Sequence, residues 1–166
     1  MAAEHEDLTA GLRAAGVAGE LAERLAHYGA LLLEANRKVN LTGAKDVAAL
    51  LPHLLDALTL AGDVSESLVD VGSGGGLPGI PLALATGVRV LLVEPTVKKA
   101  AFLERALVAC GIEGEVVAQR AEVAGRTGGS ITAGSGSDDD KIELVIHAIS
   151  LGRTAQTRRF GLAPRR

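Results

Sequence analysis

The chain of 166 residues contains no tryptophan, one tyrosine, two phenylalanines, one cysteine and one methionine. Its three rings, Tyr28, Phe102 and Phe160, are too few for a base-stacking platform of the single-strand-binding kind. The lone Cys110 excludes an internal disulfide and any zinc site built from several cysteines. The four histidines are scattered singly, without metal-ligand spacing, so no metal is assigned. No run of roughly 18 uninterrupted apolar residues occurs, and no transmembrane helix is predicted. The N-terminal stretch "MAAEHEDLTA" is acidic where a signal or transit peptide would be basic. The expectation is a cytoplasmic protein that does not engage a membrane.

What remains is 48% apolar and 22% charged, the balance of a globular chain long enough for one domain with a real core. The net charge of −3 is uneven. From Arg153 to Arg166 there are five arginines and no acid, which leaves twelve bases against twenty acids in the rest. Such a tail either leans on phosphates or is a solvated terminus. The acidic body makes a poor general RNA binder, so RNA recognition would need a local basic patch.

Leu21, Leu25, Tyr28 and Leu32 recur at helical spacing and predict an amphipathic helix from about Ala18 to Ala35. "NRKVNLTGAKD" breaks it. Asp46 is placed to cap a second helix rich in leucine, with Pro52 expected to kink or restart it. After the turn "AGDVSES" the period changes. "LVDV" reads as a buried strand, "GIPLALAT" as a short helix and "VRVLLVEP" as a second strand. Thr96 can cap the helix that follows, Gly111 can stop it, and "GEVVAQ" supplies a third strand. "TGGSITAGSGSDDD" is a low-complexity stretch suited to a flexible loop, and "KIELVIHAI" a fourth strand. This order predicts an α/β fold: a doubly wound, Rossmann-like parallel sheet with helices on both faces. The expected organisation is an N-terminal helical layer at 1–62, an α/β core at 63–150 and a basic tail at 151–166.

Ligands of such sheets sit outside the carboxyl ends of the strands, where the glycines fall. "GGGLPG" formally matches the dinucleotide fingerprint G-x-G-x-x-G, a weak signal alone, and Glu94 suits the acid such a site needs. That reading makes the chain a nicotinamide-dependent oxidoreductase. A second pattern, D-x-G-x-G-x-G, uses Asp70, Gly72, Gly74 and Gly76. Here an acid precedes the turn and can face a positive group, as the α-amino end of S-adenosylmethionine provides. Glu94, at the end of the second strand, could accept both ribose hydroxyls. Two acids suit a cationic cofactor, whereas Asp70 would repel a pyrophosphate. The methyltransferase reading is therefore preferred.

The stretches "NRKVNLTGAKD", "HLLDALTL", "LVDVGSGGGLPGIPLALA", "VLLVEPTVKKAAFLERAL" and "QRAEV" run in order from Asn36 to Val123. Together they resemble the family of ribosomal RNA small subunit methyltransferase G, also called glucose-inhibited division protein B. The combination is far more specific than any single glycine motif. The resemblance implies a Rossmann-like methyltransferase sheet and S-adenosylmethionine as the donor. It also implies methyl transfer to N7 of a guanine in small-subunit ribosomal RNA, naked or in an assembled ribosomal particle. Carried over by position, it implies cofactor contacts from Gly72 and Leu77 in the turn, and from Ala121 with Glu122 along the adenine. Asp70, Gly74 and Glu94 come from the electrostatic argument. Guanine N7 has a free lone pair at neutral pH, so no general base is needed and none is named.

The match fades after the third strand. The family's fourth strand ends in an Arg-Ala pair, for which "ELVIHAIS" offers His147 and Ala148. The stretch after it is expected to be too short for the family's last strands. The chain is thus expected to be a C-terminally truncated or divergent member, or a fragment with an appended tail. Truncation and divergence differ in consequence: in a truncated member the cofactor half could fold and bind while methyl transfer is lost. Arg37, Lys38, Lys98 and Lys99 are candidate phosphate contacts, though Lys98 and Lys99 point about 100° apart on a helix and only one can serve well. His53 is expected to be a structural helix-face imidazole, His5 and His27 surface residues, and Cys110 a small hydrophobe. Oligomeric state is left open.

Overall fold

The computed structural model describes residues 1–119 and the backbone of residues 143–146. It opens with a helix that the sequence reading did not assign, α1 (Ala2–Ala14), whose Leu8 and Leu12 are fully buried. They pack against α2 (Gly19–Asn36), which buries Ala22, Leu25, Tyr28 and Leu32 along the expected stripe. Asp46 caps α3 (Val47–Leu58) as expected, its Oδ1 accepting from the Ala49 N–H at 2.8 Å. Pro52 does not restart that helix, which runs unbroken past it. The carbonyl that loses its partner belongs to Ala48, an exposed residue on the solvent side of the helix, where water satisfies it at little cost.

A short 3-10 turn over Ala61–Asp63 leads into the sheet. Its strands are β1 (Ser67–Val71), β2 (Arg89–Val93), β3 (Gly114–Val117) and β4 (Glu143–Ile146), all parallel, in the order β3-β2-β1-β4. Between them run α4 (Gly79–Thr86), stopped by Gly87 in the left-handed conformation, and α5 (Val97–Ala109), followed by Gly111 in the same conformation. Thr96 stands at the start of α5, but its side chain makes no capping bond; its N–H is instead taken by Glu94. The crossovers β1–α4–β2 and β2–α5–β3 advance in one direction, so right-handed connection puts both helices on one face. Helix α2 packs on α4 and α5 together, which stacks the N-terminal helices over that same face. Among the described residues, helices cover this face alone.

Leucines from α1, α2 and α3 join Leu68, Ile80, Leu92, Phe102 and Leu103 in one continuous core. The helical layer and the sheet therefore share their burial. Strand order reverses at β1, with β2 on one side of it and β4 on the other. That reversal opens a crevice at the carboxyl end of β1, the place where parallel sheets bind ligands. No helix of the described residues is long and apolar enough to cross a membrane.

Candidate functional site

The turn of residues 72–78 rises from this crevice. The N–H groups of Gly72 and Ser73 both donate to the Val93 carbonyl, at 2.7 and 3.2 Å, tying the turn to the end of β2. The Gly76 N–H closes the turn onto the Ser73 carbonyl at 2.6 Å, and the Ser73 hydroxyl donates to the Asp70 carbonyl at 2.9 Å. Gly72, Gly74 and Gly76 have φ of 77°, 56° and 94°, the left-handed region that side chains with a Cβ resist. Gly76 has a second reason to lack a Cβ, which would lie 2.6 Å from Ile80 Cδ1 and 3.1 Å from Leu103 Cδ2. Gly72 differs: it is exposed, and a Cβ there would meet nothing within 4 Å. The space beside Gly72 is thus open to a ligand lying on bare backbone.

Glu94 is 4% exposed, and both of its carboxylate oxygens are engaged. Oε2 accepts from the Gly74 N–H at 2.9 Å and Oε1 from the Thr96 N–H at 2.8 Å. Each oxygen keeps a further lone pair for an incoming hydroxyl. Glu94 thus joins the glycine turn to the start of α5, and Gly74 and Glu94 meet as two of the expected site residues.

Asp70 takes a different position from the one expected of it. Side chains alternate along a strand, so Asp70 shares the inner face with the buried Leu68, beneath the first residue of α4. It is fully buried; its Oδ2 accepts from the Gly79 N–H at 3.2 Å, and its Oδ1 has no hydrogen-bond partner. A Cβ on Gly79 would come within 2.7 Å of that Oδ2 and 2.8 Å of Leu92 Cδ2, which is why glycine starts this helix. Burial pushes the carboxyl up to about 7; the Gly79 N–H opposes the rise and the nearby Glu94 charge adds to it. Asp70 supports the turn from within, through the first residue of α4.

Leu77 is half-buried in the turn, before a cis peptide to Pro78. Ala121, Glu122, His147 and Ala148, together with the basic tail, lie outside the described residues. Of the expected phosphate contacts, Arg37 is committed to Glu4 at 2.6 Å, whereas Lys38 and Lys98 are exposed and Lys99 is half-buried. His53 is exposed on α3.

Two residues to which the sequence reading gave no role at the site bear on the turn, Tyr28 directly and Asn36 through a loop. The Tyr28 hydroxyl donates to the Gly75 carbonyl at 2.8 Å in a fully buried setting. Asn36 closes α2 and staples the next loop: its Oδ1 accepts from the N–H groups of Leu41 and Thr42 at 2.7 and 3.0 Å. Its Nδ2 donates to the carbonyls of Thr42 and Ala44 at 3.0 and 2.8 Å. That loop sets the Leu41 carbonyl against Gly74 and Gly75. The signals for these residues were slight: one phenol in an otherwise aliphatic stripe, and one amide at the helix end.

A separate hollow of about 330 Å³ lies toward the start of α2, lined by His5, Glu23, Arg24, His27, Ala109 and Cys110. Burial pushes the Cys110 thiol up to about 11, which leaves it a poor nucleophile. Among the described residues, no group of three His, Cys, Asp or Glu could hold a metal ion.

The model of the family rRNA small subunit methyltransferase G matches residues 21–133. A ribosomal RNA small subunit methyltransferase G of Gluconobacter oxydans is 44% identical over 111 residues, which cover 65% of this chain and 58% of the relative. Its namesake in Nitrosospira multiformis is 48% identical over 103 residues, covering 60% and 48%. The one in Neisseria meningitidis is 39% identical over 124 residues, covering 70% and 60%. The chain spans about half to three fifths of the length of these relatives.

Proposed function

The chain belongs to the family of rRNA small subunit methyltransferase G, and from that premise we propose that it binds S-adenosylmethionine at the glycine turn and methylates N7 of a guanine in small-subunit ribosomal RNA. The observation that carries the reading is the pairing of Gly74 with Glu94 beside the open backbone of Gly72, at the reversal of the strand order.

The residues present fit the cofactor. Gly72 leaves open space beside bare backbone, which a side chain would occupy. Glu94, held by two backbone N–H groups, would offer its remaining lone pairs to the two ribose hydroxyls, and its fixed carboxylate would need no reordering. Leu77 offers an apolar edge beside the turn. Ala121 and Glu122 remain the proposed partners of the adenine. Asp70 acts from beneath, by holding the Gly79 N–H and with it the start of α4. S-adenosylmethionine would supply a methyl group activated by its sulfonium charge. The protein's task is then to align the guanine N7 lone pair and exclude water, with no proton to remove. The proposed RNA partner, as free RNA or an assembled particle, would meet exposed lysines such as Lys38 and Lys98.

Calorimetric titration with S-adenosylhomocysteine, with NADH as control, tests the cofactor half of this reading. Saturable binding of S-adenosylhomocysteine alone is the expected result. Binding of NADH alone would establish the oxidoreductase alternative instead. Transfer of labelled methyl to small-subunit RNA or particles then tests the substrate half.

A further inference from the structure

We infer that Tyr28, with the loop stapled by Asn36, is a positioning element of the glycine turn, so that the N-terminal helical layer sets the cofactor affinity of a site it does not line. The inference rests on the proposed function for its ligand, and on geometry for the rest.

The turn is held from two sides. On the sheet side, Glu94 takes the Gly74 N–H at 2.9 Å. On the helical side, the Tyr28 hydroxyl reaches across from α2 to the carbonyl of the very next residue, Gly75, at 2.8 Å. Leu32, one turn further along α2, stands against the same glycine: its Cδ1 would lie 2.8 Å from a Cβ there. The Leu41 carbonyl would lie 3.3 Å from that Cβ and 3.5 Å from one on Gly74. Four hydrogen bonds from the single amide of Asn36 fix where that carbonyl goes. Gly74 and Gly75 are therefore pinched between Glu94 and the helical layer, with no side chains of their own to define the spacing.

Glycine-rich backbone has more freedom to lose than any other, so the turn needs outside partners to keep one shape. The Tyr28–Gly75 bond orients the peptide that follows Gly75, whereas the Glu94–Gly74 bond orients the one that precedes Gly74. If the first is released, the turn can drift relative to Glu94, and the lone pairs proposed for the ribose lose their fixed direction. Burial holds the Tyr28 phenol far above its ordinary ionisation range, so it stays a donor at every working pH.

The test is Tyr28→Phe in the full 166-residue chain, which keeps the ring packed and removes only the donor. Two measurements separate positioning from mere stability. Hydrogen exchange of the peptide spanning 72–79 should quicken in the variant, whereas exchange in α1 should not. Affinity for S-adenosylhomocysteine should fall about five-fold, the range of one neutral hydrogen bond. Leu12→Val, which thins the helical layer away from the turn, is the control: it should lower the melting temperature and leave affinity unchanged. Unaltered exchange and affinity in Tyr28→Phe would overturn the inference, as would an equal loss of affinity in Leu12→Val. A wild-type chain that does not bind S-adenosylhomocysteine overturns the proposed function instead, and the exchange result then decides this inference alone.

Discussion

The helical layer and the glycine turn meet at Tyr28 and bury their residues by opposite means. The layer is filled by Leu8, Leu12, Leu25, Leu32, Leu50 and Leu54, aliphatic side chains whose contribution is volume removed from water. Around the turn the buried polar groups are Asp70, Ser73 and Glu94, each with an assigned backbone partner, and the turn's own glycines hold left-handed backbone conformations. Side-chain tips can shift by a few tenths of an ångström when a neighbour changes. A backbone tied at both ends cannot. The layer should therefore absorb small changes that the turn will not.

Gly76→Ala is the sharpest probe of that difference and carries the largest expected effect. It forces a Cβ onto a φ of 94° and into Ile80 and Leu103 at once. The side-chain ends can give way but the left-handed backbone cannot, and that strain should cost about 2 kcal/mol, read from urea midpoints at unchanged slope.

Asp70→Asn probes the turn's buried charge. The carboxyl has a pKa of about 7 in the folded chain against 3.8 as its ordinary value. The folded state therefore binds the proton more tightly. Stability from this group is complete below the ordinary value and is lost as pH rises through about 7. Wild-type stability should decline across that window, by at most about 1.4 kcal/mol per pH unit for one proton. In Asp70→Asn, where a neutral amide stands in for the protonated acid, thermal unfolding at a series of pH values should show that decline removed. A variant whose pH profile still matches wild type would mean that Asp70 is not the titrating group.

Gly29→Ala is the counterpart in the layer and should do least. Its new Cβ would meet Leu8 Cδ1 at 2.7 Å and Leu50 Cδ2 at 3.3 Å, both ends of flexible side chains. Alanine in mid-helix recovers up to about 1 kcal/mol of propensity against that crowding. The net change should stay within about 1 kcal/mol in the same urea experiment. A loss as large as that of Gly76→Ala would erase the contrast between the two regions.

Much of this was legible in the sequence. The β-branched runs, the glycines between strand and helix, the Asp46 cap and the Gly111 stop all follow local rules that tertiary packing leaves intact. Helix α1 was not legible because its buried positions are few, Leu8, Thr9 and Leu12, in an otherwise polar segment. It is held by α2 more than by its own pattern. The Thr96 cap failed because the neighbouring carboxylate of Glu94 draws the Thr96 backbone to itself. Glu94 reads correctly as an acid at the strand end, and its contact with Gly74 follows from the register Val71–Val93, which levels the ends of β1 and β2. Asp70 reads as an acid of weight at the strand end, and its burial beneath Gly79 comes from the packing of α4 on β1, which its own run of buried residues does not show. Tyr28 acts on a residue 47 positions along the chain, and Asn36 on the loop just after its helix, which only the fold brings against the turn.

Tyr28 has one more consequence, an optical one. It is the chain's single tyrosine, and there is no tryptophan. Excited at wavelengths that phenylalanine does not absorb, the molecule therefore emits from one ring, whose hydroxyl is bonded to the Gly75 carbonyl. Any ligand that moves the turn should change that signal, without a label and without a second tyrosine or a tryptophan to overlay it.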